Sequence, residues 1–203
     1  MRPFVAATLV ALVAAGLTVQ ALPGAGFGRG PRIRAMKPKA DAFVSAANRT
    51  QNFGRARELK VTASPALRSY VLFDVDLHSI DVKQVSLLLY SRSRSRVGYQ
   101  IRLVGERWRE RRITFANAPA VSPNFVMSGP LQAGAWKAVD ITSLVTGDER
   151  RLSFALTTVS AKGAEFASRE TGLHGPRLVV ERQENVTTTS TTTTDAGPQM
   201  PSP

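Results

Sequence analysis

The chain has 203 residues, with 27 Lys and Arg against 15 Asp and Glu, and no Cys. That length can bury a core that folds without staples, and the lack of Cys excludes a disulfide scaffold and a thiol nucleophile. The formal charge of +12 favours polyanionic partners: acidic polysaccharide, cell-wall phosphate polymer, anionic lipid or nucleic acid. The excess lies in the body of the chain, where residues 41–182 hold 21 Lys and Arg against 13 Asp and Glu. Most of these cations are Arg, which suits planar, two-pronged contacts to carboxylate or phosphate.

Residues 1–21 read as an export signal: Arg2, an apolar run from Phe4 to Leu17, and the small-residue site Val19-Gln20-Ala21. Residues 22–39, rich in Gly, Pro and basic side chains, read as a flexible basic linker. From Ala40 the texture changes to short alternating runs. Ala42–Ala46, Arg57–Thr62, Leu67–Val75, Val82–Ser91, Val97–Val104, Trp136–Thr142, Leu152–Thr158, Ala164–Arg169 and Pro176–Glu181 are predicted strands. Val121–Leu131 adds an edge strand or loop, because Pro123 and Pro130 cannot donate to a ladder. A helical turn is predicted near Thr142–Thr146. The pattern predicts an all-β sandwich of nine to ten antiparallel strands over residues 40–183. Residues 184–203, a Thr- and Ser-rich run ending in Gly, Pro and Ser, read as a solvated tail.

The strand Leu67–Val75 anchors this reading. Alternation sends Ser69, Val71, Phe73 and Val75 to the core and Arg68, Tyr70, Leu72 and Asp74 to a second face. An unpaired buried guanidinium is very costly, so that face is expected to meet water or a ligand. The same parity turns Lys60 and Thr62 away from Leu59 and Val61, and Glu165 and Arg169 away from Phe166 and Ser168.

Catalytic signals are sparse. Of the two His, His78 and His174, both fall in turn-like contexts, and no G-x-S-x-G, phosphate-binding glycine loop or H-E-x-x-H occurs. Glu106 and Glu110 flank Trp108 in the manner of a glycosidase pair. The surrounding Arg107, Arg109, Arg111 and Arg112 would keep both ionised, against a general acid.

Several motifs together resemble the DNRLRE-type carbohydrate-binding module. They are Ala40-Asp41-Ala42-Phe43-Val44, Asn52-Phe53-Gly54, Arg68-Ser69-Tyr70 leading to Phe73-Asp74-Val75, Trp108-Arg109-Glu110, Ile113 to Pro119, Gly134-Ala135-Trp136, Asp140 to Val145, Ser153 to Leu156, Phe166 to Glu170 and Pro176 to Val180. In order they span residues 40–181. Phe115 departs from the pattern, which expects an indole there.

The resemblance implies a secreted, non-catalytic jelly-roll β-sandwich that binds polysaccharide, in some members alginate, through basic residues. It also implies that the strands bearing Lys60, Arg68, Tyr70 and Arg169 form one basic concave face, with Arg49 and Arg55 at its rim. Arg and Lys would pair with uronate carboxylates, and Tyr70 would offer a flat surface to a sugar ring. The alternatives are a structural or adhesion domain of the cell surface without a sugar site, and a polysaccharide lyase or hydrolase. Export and the few aromatics around the Arg runs argue against nucleic acid, and no membrane contact is expected beyond the signal. No cofactor is expected. A structural calcium stays open, since Asp41, Asp74 and Asp140 could supply hard oxygen ligands although no spacing marks a calcium loop. Secondary basic or aromatic candidates are Arg92, Arg94 and Arg96 on a hairpin tip, and Trp136.

Overall fold

The computed structural model describes residues 33–78 and 80–183. The export signal, the first part of the linker and the Thr-rich tail lie outside the described residues. Eleven strands are found: β1 (Ile33–Met36), β2 (Ala40–Ser45), β3 (Glu58–Val61), β4 (Leu67–Asp74), β5 (Val82–Ser91), β6 (Gln100–Leu103), β7 (Val126–Met127), β8 (Ala135–Asp140), β9 (Arg151–Thr157), β10 (Ala164–Ala167) and β11 (Arg177–Arg182). A 3₁₀ turn at Thr142–Leu144 occupies the predicted helical site, and a second 3₁₀ segment, Arg169–His174, joins β10 to β11.

Every pairing is antiparallel. One sheet runs β1-β11-β5-β10-β3, with β8 on the other edge of β5; the second runs β2-β4-β9-β6-β7. Period two is plain in β5, where Val85, Leu87, Leu89 and Ser91 are buried between the sheets and Gln84, Ser86, Leu88 and Tyr90 face outward. Facing them from the second sheet are Val71 and Phe73 of β4, Ile101 of β6 and Phe154 of β9. The sandwich agrees with expectation. Strand β1, by contrast, falls inside the stretch read as linker: its Ile33 to Met36 pair with Glu181 to Leu178 of β11. Of the predicted Val121–Leu131 edge, only Val126 and Met127 pair as a strand, with β6.

The larger difference concerns the second face of β4. It was expected to be wet. Instead Tyr70 and Leu72 are buried in a separate apolar cluster with Ala40, Ala42 and Val44 of β2, Ala155 of β9, and Trp108 and Ile113. The last two come from residues 104–121, a long irregular excursion after β6 that lies across the outer face of the second sheet. Polar latches hold it there. Trp108 Nε1 donates to Ser153 Oγ at 2.8 Å, Asn52 Nδ2 donates to Glu110 O at 2.7 Å and Ile113 O at 2.6 Å, and the Tyr70 hydroxyl donates to Pro119 O at 3.3 Å. Gly54 is required by this contact, because a Cβ there would stand 2.1 Å from Glu110 O. The second sheet is thus covered on both sides at β2 and β4.

Trp108 is the largest apolar group in the cover. Trp108→Ala should lower the unfolding free energy by ~3–5 kcal/mol, from lost burial and a cavity, and leave Ser153 Oγ without its donor. Urea unfolding at fixed pH checks this; a change below about 1 kcal/mol would mean that the excursion is not part of the folded unit.

Candidate functional site

Beyond the excursion the outer face of the second sheet stays open, as a groove of about 640 Å³. Leu67, Arg68, Arg102 and Thr157 line it from the strands, Val121 from the end of the excursion, and Ser122 and Pro123 from just past it. None of its lining residues is acidic. Arg102 is fixed in place: it donates to Ser122 O, Pro123 O and Gln100 Oε1, and stacks at 4.4 Å on Phe125. Arg68 has no carboxylate partner among the described residues. Its guanidinium lies 5.4 Å from the centre of the Phe115 ring, and that of Arg49 lies 5.2 Å from the same ring. Two guanidinium groups without a carboxylate partner therefore meet over one aromatic ring beside the groove.

The six residues expected to bind do not form a single face. Arg49, Arg68 and the exposed loop residue Arg55 stay on the side of the second sheet. Tyr70 is corrected from a ring platform to a core residue: it is fully buried, stands edge-on to Trp108, and burial pushes its phenol upward. Lys60 belongs to β3, at the edge of the first sheet, where Glu58 is 2.8 Å away and Glu165 3.8 Å. The bond to Glu58 holds its ammonium above the usual range. Arg169 begins the 3₁₀ segment and is held among protein groups. Its backbone N–H donates to Asp41 Oδ2 at 2.8 Å, its Nη1 to Lys39 O, and its guanidinium lies 3.4 Å from Glu110 and 3.5 Å from Glu170. Parity turned Lys60 away from the core as the structure has it, but Arg169 lies past the end of β10, in the 3₁₀ segment, and parity cannot say which sheet a strand joins.

Around Arg169 three carboxylates converge. Oxygens of Asp41, Glu110 and Glu170 lie within 4.8 Å of one another, and Asp41 is almost wholly buried. Burial, reinforced by the charges of Glu170 and Glu110, pushes Asp41 up to about 8. Among the described residues this is the group that could hold a cation. Asp74 is instead paired with Lys39 at 2.6 Å and Arg151 at 3.0 Å, and Asp140 accepts from Thr142 and Gln84.

Phe115, which the sequence marks only as a departure from the family pattern, packs against the cluster of Tyr70, Trp108 and Ile113 and also lies under the guanidinium groups of Arg49 and Arg68. Trp136 is partly exposed on the outer face of the first sheet, and Arg92, Arg94 and Arg96 are exposed on the connection from β5 to β6, which crosses from one sheet to the other and is not the expected hairpin. The family model of carbohydrate-binding module family 96 matches residues 32–182. No curated protein matches the chain.

The raised carboxyl of Asp41 makes stability depend on pH with a definite sign. Below about pH 4 the group is protonated whether the chain is folded or not, and its burial is harmless. As pH rises from about 4 to about 8 the unfolded chain gives up the proton and the folded one keeps it, so stability is lost across that window. Thermal unfolding without divalent cations should show a midpoint that falls by several degrees between pH 5 and pH 8. In Asp41→Asn, which can still accept from the Arg169 N–H, the fall should be clearly smaller; an equal fall in both proteins refutes the assignment.

Proposed function

The chain belongs to carbohydrate-binding module family 96, and from that premise we propose that it binds an acidic, uronic-acid polysaccharide such as alginate along the groove on the outer face of the second sheet. The observation that carries this reading is the pair of guanidinium groups, Arg49 and Arg68, that share the Phe115 ring with no carboxylate to neutralise them. An aromatic ring carrying two planar cations suits a polymer whose residues combine an apolar ring face with a carboxylate. The open groove suits an internal stretch of polymer rather than a chain end.

The reading is of binding without catalysis. Glu110, one of the two acids weighed as a glycosidase pair, is turned inward, where its Oε1 accepts from the Asp41 N–H at 3.1 Å and faces Arg169. The export signal read in residues 1–21 would place the domain outside the cell or on its surface, where such polymers are met.

Affinity electrophoresis or calorimetry on alginate, pectate, xylan and cellulose at two salt concentrations tests this. Exposed charge contacts are worth ~0–1 kcal/mol each and are screened by salt. The double variant Arg49→Ala/Arg68→Ala should weaken uronate binding about fivefold or more, while Lys60→Ala, already neutralised by Glu58, should change it less than twofold. Binding that ignores both salt and the double variant would remove the groove from consideration, and equal indifference to all four polymers would favour a spacer or adhesion role.

A further inference from the structure

The outer face of the first sheet presents a different combination. Register sets Trp136 of β8 directly beside Tyr90 of β5, the next outward pair being Ala138 and Leu88, with Arg177 of β11 beyond. The small side chain of Ala138 leaves the indole standing proud, and Trp136 is 39% exposed. His174, at the end of the 3₁₀ segment, lies over Tyr90 with ring centres 4.2 Å apart, and 6.3 Å from the Trp136 ring. Leu173 beside it is exposed. An indole, a phenol and an imidazole grouped on an open sheet face serve no core.

Arg177 connects this aromatic group to a cationic cleft. Its guanidinium lies 5.1 Å from the Trp136 ring centre and donates to Leu173 O at 2.9 Å. The same side chain lines a cleft of about 390 Å³ whose other charged walls are Lys37, Lys39 and Arg169. Lys39 and Arg169 have acidic partners, but Lys37 and Arg177 have none among the described residues. Four cations and no acid line this cleft, which abuts an exposed indole.

We infer that this surface is a second acidic-sugar site, in which the exposed Trp136 ring, backed by Tyr90, receives a pyranose and Lys37 and Arg177 receive its carboxylate. The inference rests on the reading of the ligand as an acidic polysaccharide, but not on the groove. Charge complementarity selects the occupant: a neutral sugar would leave the cationic cleft unused, and a free anion would leave the indole unused. The two outer faces of a sandwich point apart, so one domain would hold two polymer strands.

Tryptophan emission can test this on the full chain, because the sequence has two Trp and Trp108 is buried under the excursion. Alginate hexamers should shift or quench the emission of the wild type and, to a similar extent, of Arg49→Ala/Arg68→Ala. By calorimetry, adding Lys37→Ala or Trp136→Ala to that double variant should remove the residual binding, at least fivefold, with an unchanged melting temperature. Lys37 is exposed, so its variant stays informative if Trp136→Ala folds poorly. If the double variant alone abolishes binding and the emission change, the second site is refuted and the groove stands. If Lys37→Ala and Trp136→Ala abolish binding in the wild-type background, the second site stands and the groove fails. An equal emission change with cellohexaose, unaffected by Lys37→Ala, would overturn the acidic specificity.

Discussion

A strand buried on both faces must find a cover for each, and β4 finds its second one in a segment with almost no regular structure. The excursion of residues 104–121 closes part of its backbone in its own turns, as in the Ile113 N–H to Arg109 O bond, and its remaining polar groups need partners elsewhere. They are supplied by Asn52, Ser153, Tyr70 and the Asp41 N–H, all from the surface being covered. The cover and the sheet therefore hold each other in one arrangement, with Asn52 bridging two carbonyls and Gly54 allowing the close approach. The cover stops at Phe115, Val121 and Pro123. Where it stops, Arg68 stands at the boundary between a packed region and an open groove.

That boundary explains how much of the molecule was legible. The strands were readable because alternation over residues such as Val82–Ser91 is a local property, and the sandwich follows once there are enough of them. Period two also separated the inward and outward side chains of β3, and of Glu165 and Phe166 in β10, but not Ala167, which is buried. It failed at Tyr70 because a strand's outward face is wet only if nothing folds over it, and the covering residues Trp108, Ile113 and Phe115 come from a segment without periodicity. β1 was missed for a related reason: Ile33–Met36 is four residues flanked by basic and Pro-rich chain, and only its pairing with β11 makes it a strand. Grouping Lys60 with Arg68 needed the sheet order, which no strand pattern contains.

The basic composition also divides once partners are known. Lys39, Lys60, Lys83, Arg151 and Arg169 lie against carboxylates, and these pairs organise the sandwich rather than attract a ligand. Arg102 keeps its charge but has its donors occupied in another way, by carbonyls and an amide oxygen around its guanidinium. Among the other described cations that lie against no carboxylate, three sit over aromatic rings: Arg49 and Arg68 on Phe115, and Arg177 on Trp136. Stacking orients a planar cation while leaving its edge donors open, which a paired carboxylate would consume.

Such cations are individually weak in water, and this weakness constrains what the surface can recognise. A single uronate would gain too little from one or two screened contacts to offset its lost freedom of motion. A polymer changes the balance, since a second contact by the same chain takes place at high effective concentration. Recognition would then depend on whether the spacing of carboxylates along the polymer matches the spacing of guanidinium groups along the groove. An open trough with stacked, edge-exposed arginines is suited to reading that spacing, whereas a closed pocket would read a single residue.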